Sequence, residues 1–158
     1  MPHRLFDWRV RVKAAEREYQ AVRIALDLLG AARDDEIHEL TGMRGWDEFA
    51  ATEIYAAERN LEATYVIRMF SVFERAVGSF WRQMPGNAHR HVDGDVLLDD
   101  VGYAQLMDEG VIESAQEVRT HRNSLVHRRV EDHAAAMTVE AASRDLLNYL
   151  NRLPATWG

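Results

Sequence analysis

Apolar side chains along this chain recur at steps of three and four rather than two, the spacing of helices that bury one face. Val12, Ala15, Tyr19, Val22, Leu26 and Leu29 keep that rhythm, which predicts an amphipathic helix from about Trp8 to Leu29 with Gly30 at its end. A short helical turn is expected near Asp35–Leu40, stopped by Thr41-Gly42. Asp47 then caps a long segment running from Glu48 toward Met84, and Pro85-Gly86-Asn87 stops it. After Asn60 this segment turns apolar on nearly every side, through Leu61, Tyr65, Ile67, Met69, Phe70, Val72, Phe73, Val77, Phe80 and Trp81, so it is expected to be the central helix, with its aromatic residues in the core. His89 to Asp95 reads as a polar loop, Val96 to Met107 as a short helix closed by Gly110, and Val111 to about Arg129 as a further helix. Thr138 caps the last helix, whose inward stripe is Val139, Ala142, Leu146, Tyr149/Leu150 and Leu153, ending before Pro154.

With only three prolines and no internal repeat, the pattern predicts an all-α, single-domain helical bundle over residues 1–158, with about four main helices and short extra ones. A chain of 158 residues suits one core. Its 47% hydrophobic and 28% charged residues exclude a disordered or fibrous chain. The absence of cysteine excludes cysteine-ligated zinc, thiol catalysis and disulfides. No apolar run approaches the roughly 18–20 residues of a membrane span, and Met1 to Val12 interleaves apolar residues with Arg4, Asp7, Arg9 and Arg11. A cytoplasmic protein with no membrane partner is expected.

Charge narrows the chemistry. A formal net charge of −7 argues against broad nucleic-acid binding, so any phosphate-binding surface must be local. Lys13 is the only lysine among 19 basic residues; codon bias accounts for that, and so does a need for forked guanidinium groups that grip phosphate. His89-Arg-His-Val-Asp-Gly-Asp95 alternates imidazoles and carboxylates as metal sites do, yet its place after a proline turn reads as a solvated connector. No histidine has Glu three residues before it, which argues against a di-iron carboxylate bundle. Gly-rich phosphate loops, Gly-x-Ser-x-Gly elbows and His-Glu-x-x-His are absent.

The stretch from Glu117 to Arg129 carries the densest chemistry. Arg119, Asn123 and His127 are spaced by four and share one helix face, with Arg122 at its edge. Arg122-Asn123-Ser124-Leu125-Val126-His127 resembles the motif of the HEPN family, small helical bundles whose nuclease members carry an arginine, four to six residues, then a histidine late in the chain. Arg33…His38, Arg82…His89 and Arg128…His133 share the spacing. Only the Arg122 instance lies on the penultimate main helix, has a polar residue directly after the arginine, and has an apolar pair before the histidine.

The resemblance implies a metal-independent endoribonuclease with no cofactor, in which a ribose 2′-OH attacks the adjacent phosphorus and leaves a 2′,3′-cyclic phosphate. His127 would do acid–base work, Arg122 would hold the phosphate, and Asn123 would orient the histidine or the phosphate. Arg119, Arg128 and Arg129 would add substrate contacts, and Glu74 on the central helix would hold Arg119 or Arg122 in place. One histidine does not easily serve as acid and base in one turnover, so the resemblance implies a homodimer with two motifs facing across a cleft. It also implies a toxin or antiviral effector with a neutralising antitoxin or partner protein. Two departures stand out: Arg129 occupies the place of a tyrosine that is modified in some members, and Arg128 the place of a frequent glycine. A non-catalytic HEPN-like module binding RNA, nucleotide or protein through the same arginines is the alternative; so is a helical dimerisation protein whose Arg and His residues merely complement the end of the helix. His121 reads as a surface or packing residue.

Overall fold

The computed structural model describes residues 4–31, 47–88, 92–127 and 137–157. Among them the chain is an all-α helical bundle. Its helices are α1 (Leu5–Ala31), α2 (Asp47–Trp81), α3 (Gly94–Ala104), α4 (Glu109–His127) and α5 (Val139–Leu150). The expected turn near Asp35–Leu40 lies outside the described residues.

Helix α2 is the axle, packing against each of the other four. Val66, Met69, Phe70, Phe73, Ala76, Val77, Phe80 and Trp81 are all buried, in keeping with a segment apolar on most of its circumference. The Phe73 ring stands edge-on to Tyr149 of α5, with centroids 5.3 Å apart. The Tyr149 hydroxyl donates to the Leu98 carbonyl at 2.6 Å and so ties α5 to α3. From α1 the core takes Leu5, Trp8, Val12, Ala15 and Tyr19, whereas Val22, Leu26 and Leu29 are only half-buried. The helix runs past Gly30 to Ala31.

The two ends of the chain meet. Leu5 N–H donates to the Ala155 carbonyl at 3.0 Å, Arg4 bridges to Thr156, and the indole N–H of Trp157 donates to Ser79 at 3.2 Å. Helix α5 begins as its sequence predicts: Thr138 Oγ1 accepts from the Ala141 amide at 3.2 Å, and Val139, Ala142, Leu146, Tyr149, Leu150 and Leu153 are buried.

Two helix ends differ from expectation. Helix α2 stops at Trp81, four residues before Pro85, because the chain tightens: Gln83 and Met84 N–H donate to the carbonyls of Phe80 and Trp81, three residues back. Helix α3 begins at Gly94 and ends at Ala104, and Gly110 does not close it but lies in the first turn of α4. The stop is a Schellman pair. Met107 N–H donates to Gly102 and Leu106 N–H to Tyr103, which puts Leu106 in the left-handed region at φ 52°. Glycine normally takes that position. Helices α3 and α4 approach closely at Gly102, where an added Cβ would stand 2.5 Å from Ile112 Cδ1.

Candidate functional site

Helix α4 carries Arg119, Arg122 and Asn123 at half-buried positions and ends at His127. Arg128 and Arg129 lie outside the described residues, as does the side chain of His127. Four residues of helix lie between Arg122 and His127, an axial rise of about 7.5 Å over five steps.

Arg122 lies over the buried ring of Phe70 on α2, its Cζ 5.6 Å from the centroid, within range of a cation–π contact. Its Nη1 donates to the side-chain oxygen of the next residue, Asn123, at 2.9 Å. The guanidinium is therefore fixed by a ring beneath it and an amide beside it. Its Nε is buried and has no hydrogen-bond partner among the described residues, an uncommon state for a charged donor. Asn123 thus braces the arginine, and the histidine it was expected to orient has its side chain outside the described residues. Leu125 packs against the core, and Val126, its partner in the apolar pair, faces outward at 47% exposure.

Arg119, one turn earlier, faces the start of α3. Its Nη2 reaches the Asp95 carboxylate at 3.8 Å, a long, partly exposed ion pair of modest strength. The Asp95 carboxyl is held below its ordinary range chiefly by the amides of Val96 and of Asp95 itself, with Arg119 adding a smaller effect. Glu74 of α2 approaches the same point. A Cβ built on Gly94 would stand 3.2 Å from Glu74 Oε1 and 3.3 Å from Arg119 Nε, so a missing side chain lets carboxylate and guanidinium flank one backbone. Glu74 thus faces Arg119 across Gly94, while Arg122 lies against Phe70. Gln116 braces the corner by donating to the Asp95 carbonyl at 2.8 Å and to the Asp99 carboxylate at 3.0 Å.

Two further features lie beside these residues. His121, beside Arg122, is half-buried, and its Nδ1 has no partner among the described residues. Burial pushes its pKa below the ordinary imidazole value, with Glu62 opposing weakly. On the other side of Glu74 a cleft of about 260 Å³ runs between α2 and α3, bordered by Arg75, Gly78, Arg82 and Gly94. The only sequence signal for it was a glycine set between two arginines seven residues apart on an otherwise apolar helix. Arg68, by contrast, is an ordinary surface residue, paired with Glu18 of α1 at 2.6 Å. Among the described residues no three His, Asp or Glu side chains converge as metal ligands would, and no helix is long and apolar enough to cross a membrane. His89 and His91 lie outside the described residues.

Comparison with protein-family models, with curated proteins and with solved structures gave no match to this chain.

Proposed function

We propose that this chain is a metal-independent endoribonuclease of HEPN type that acts as a homodimer. The observation that carries the reading is Arg122: a guanidinium clamped by Asn123 and Phe70, with a buried Nε lacking a protein partner, five residues before the histidine that ends the same helix. A clamped fork suits a phosphoryl oxygen better than a mobile one, because its geometry is set before the substrate arrives.

In the proposed reaction His127 of one copy takes the proton of a ribose 2′-OH, whose oxygen attacks the adjacent phosphorus. The P–O5′ bond breaks, and His127 of the second copy protonates the leaving 5′-oxygen. The products are a 2′,3′-cyclic phosphate and a 5′-hydroxyl. Arg122 stabilises the charge that builds on the non-bridging oxygens, and Arg119, with Arg128 and Arg129, guides the strand. The biological role we assign is that of a toxin or antiviral effector held in check by a partner protein.

Purified protein should cut RNA in EDTA and leave cyclic-phosphate ends. His127→Ala and Arg122→Lys should fold normally and lose roughly a hundredfold or more of the rate; expression of wild type, but not of His127→Ala, should arrest growth. Cleavage that survives both substitutions overturns the site assignment. Salt-sensitive RNA binding without cleavage assigns the same arginines to a non-catalytic binding module.

A further inference from the structure

We propose that the outer face of the first half of α1 seats on the outer face of α3 of a second copy of this chain. Each face is apolar where burial is absent, and the two are opposite in charge.

Along α1, Phe6, Val10, Lys13 and Arg17 follow one another at steps of four, three and four, the stripe opposite the buried Leu5, Trp8, Val12 and Ala15. Phe6 is 70% exposed and Val10 41%. From Arg9 to Arg17 the helix carries four basic residues against Glu16, which pairs with Lys13 at 2.7 Å and leaves the stripe with a net positive charge. Along α3, Val96, Asp100 and Tyr103 share a face, and Leu106 follows two residues past the helix end; Tyr103 is 63% exposed and Leu106 91%. Residues 92–118 hold eight carboxylates and not one lysine or arginine, so this face stands in the most acidic part of the chain.

The two stripes also match in length and order. From Val10 to Arg17, and from Val96 to Tyr103, each covers about 10.5 Å of helix. Laid antiparallel, Val10 falls opposite Tyr103, Lys13 opposite Asp100, and Arg17 opposite Val96 at the acidic start of α3, with Phe6 and Leu106 just past the same end. Apolar residues meet at one end, and toward the other Lys13 meets Asp100 while Arg17 reaches the acidic start of the helix. Leu106 adds an independent sign. It occupies the left-handed position of a helix stop that glycine fills more easily, and it packs on almost nothing within its own chain. Contact with a second copy would give that side chain a packing role. The contact joins two different faces, and a dimer built on a two-fold axis makes it twice.

The contact is independent of the chemistry assigned to α4, so His127→Ala should associate as wild type does even if it cuts no RNA. Sedimentation equilibrium over a dilution series provides the test. Val10→Glu/Arg17→Glu reverses the α1 face and Asp100→Lys/Leu106→Lys the α3 face, and each double variant alone should associate at least tenfold more weakly than wild type. An equimolar mixture of the two should regain dimer, since every face then meets one of opposite charge. Circular dichroism and thermal melts verify that each variant is folded. A wild-type chain that stays monomeric across the series overturns the proposal; so do variants that associate like wild type, or folded variants whose mixture fails to pair.

Discussion

Leu106 illustrates how one residue can be wrong for its backbone and still specify a fold. The two hydrogen bonds that end α3 require a left-handed residue at that point, where a side chain with a Cβ costs about 1–2 kcal/mol. At 91% exposure Leu106 recovers little of that through packing. Leu106→Gly should therefore stabilise the unassociated chain by about 1 kcal/mol in urea unfolding while weakening self-association; a loss of stability would mean that the leucine packs on its own chain. His121 sets a second single-residue expectation. Its folded pKa lies below the unfolded value of 6.5 because burial disfavours the imidazolium. The unfolded chain then binds more protons wherever pH lies between the folded and unfolded values, so stability is intact above about 6.5 and falls as pH drops through that window. His121→Gln should flatten the dependence of the urea midpoint on pH just below 6.5, and an unchanged slope would remove His121 from the acid response.

At the scale of elements, what the sequence disclosed depended on whether the determinant was local. Thr138 caps α5 by a bond to a residue three positions on, and a local signal of that kind is legible without the fold. The same holds for Arg119, Arg122 and Asn123, which share a helix because their spacing requires it. Phe70 beneath Arg122, and Gly94 between Glu74 and Arg119, depend on how α2, α3 and α4 slide past one another, and no local pattern encodes that register. Gly110 misled for a related reason: it looks like a helix stop, but hydrogen bonds through Leu106 had already closed α3, leaving the glycine inside the next helix. Gly102 has the opposite character, an unremarkable glycine in mid-helix that fixes the spacing of α3 and α4. An added methyl group would stand 2.5 and 2.6 Å from two Ile112 carbons. Gly102→Ala should cost about 1–3 kcal/mol through overpacking, although alanine favours a helix more than glycine does by about 1 kcal/mol. Partial recovery in Gly102→Ala/Ile112→Val would locate the strain at that contact.

Across the whole molecule the net charge of −7 is not spread evenly. Residues 92–118 carry eight acidic side chains and no basic one, which leaves 19 basic against 18 acidic residues in the rest of the chain. An RNA strand following α4 from His127 back toward its start would thus leave a cluster of arginines and enter a field of carboxylates: Glu117, Glu113 and Glu109 are all exposed on that helix. Attraction confined to one end of a helix limits how many phosphates can be neutralised. With Arg119, Arg122, Arg128 and Arg129 as contacts, the slope of log affinity against log salt for a short single strand should be no steeper than about −3 per chain, and about −6 for a strand that crosses both copies of a dimer. Beyond the length that reaches both clusters, added nucleotides should leave the slope unchanged, because the next surface they meet repels them. Titrating His127→Ala with RNAs of increasing length at several salt concentrations measures this directly. A slope that keeps steepening with length would show that the strand is held by a long basic track, and the α4 cluster would then be only part of the binding surface.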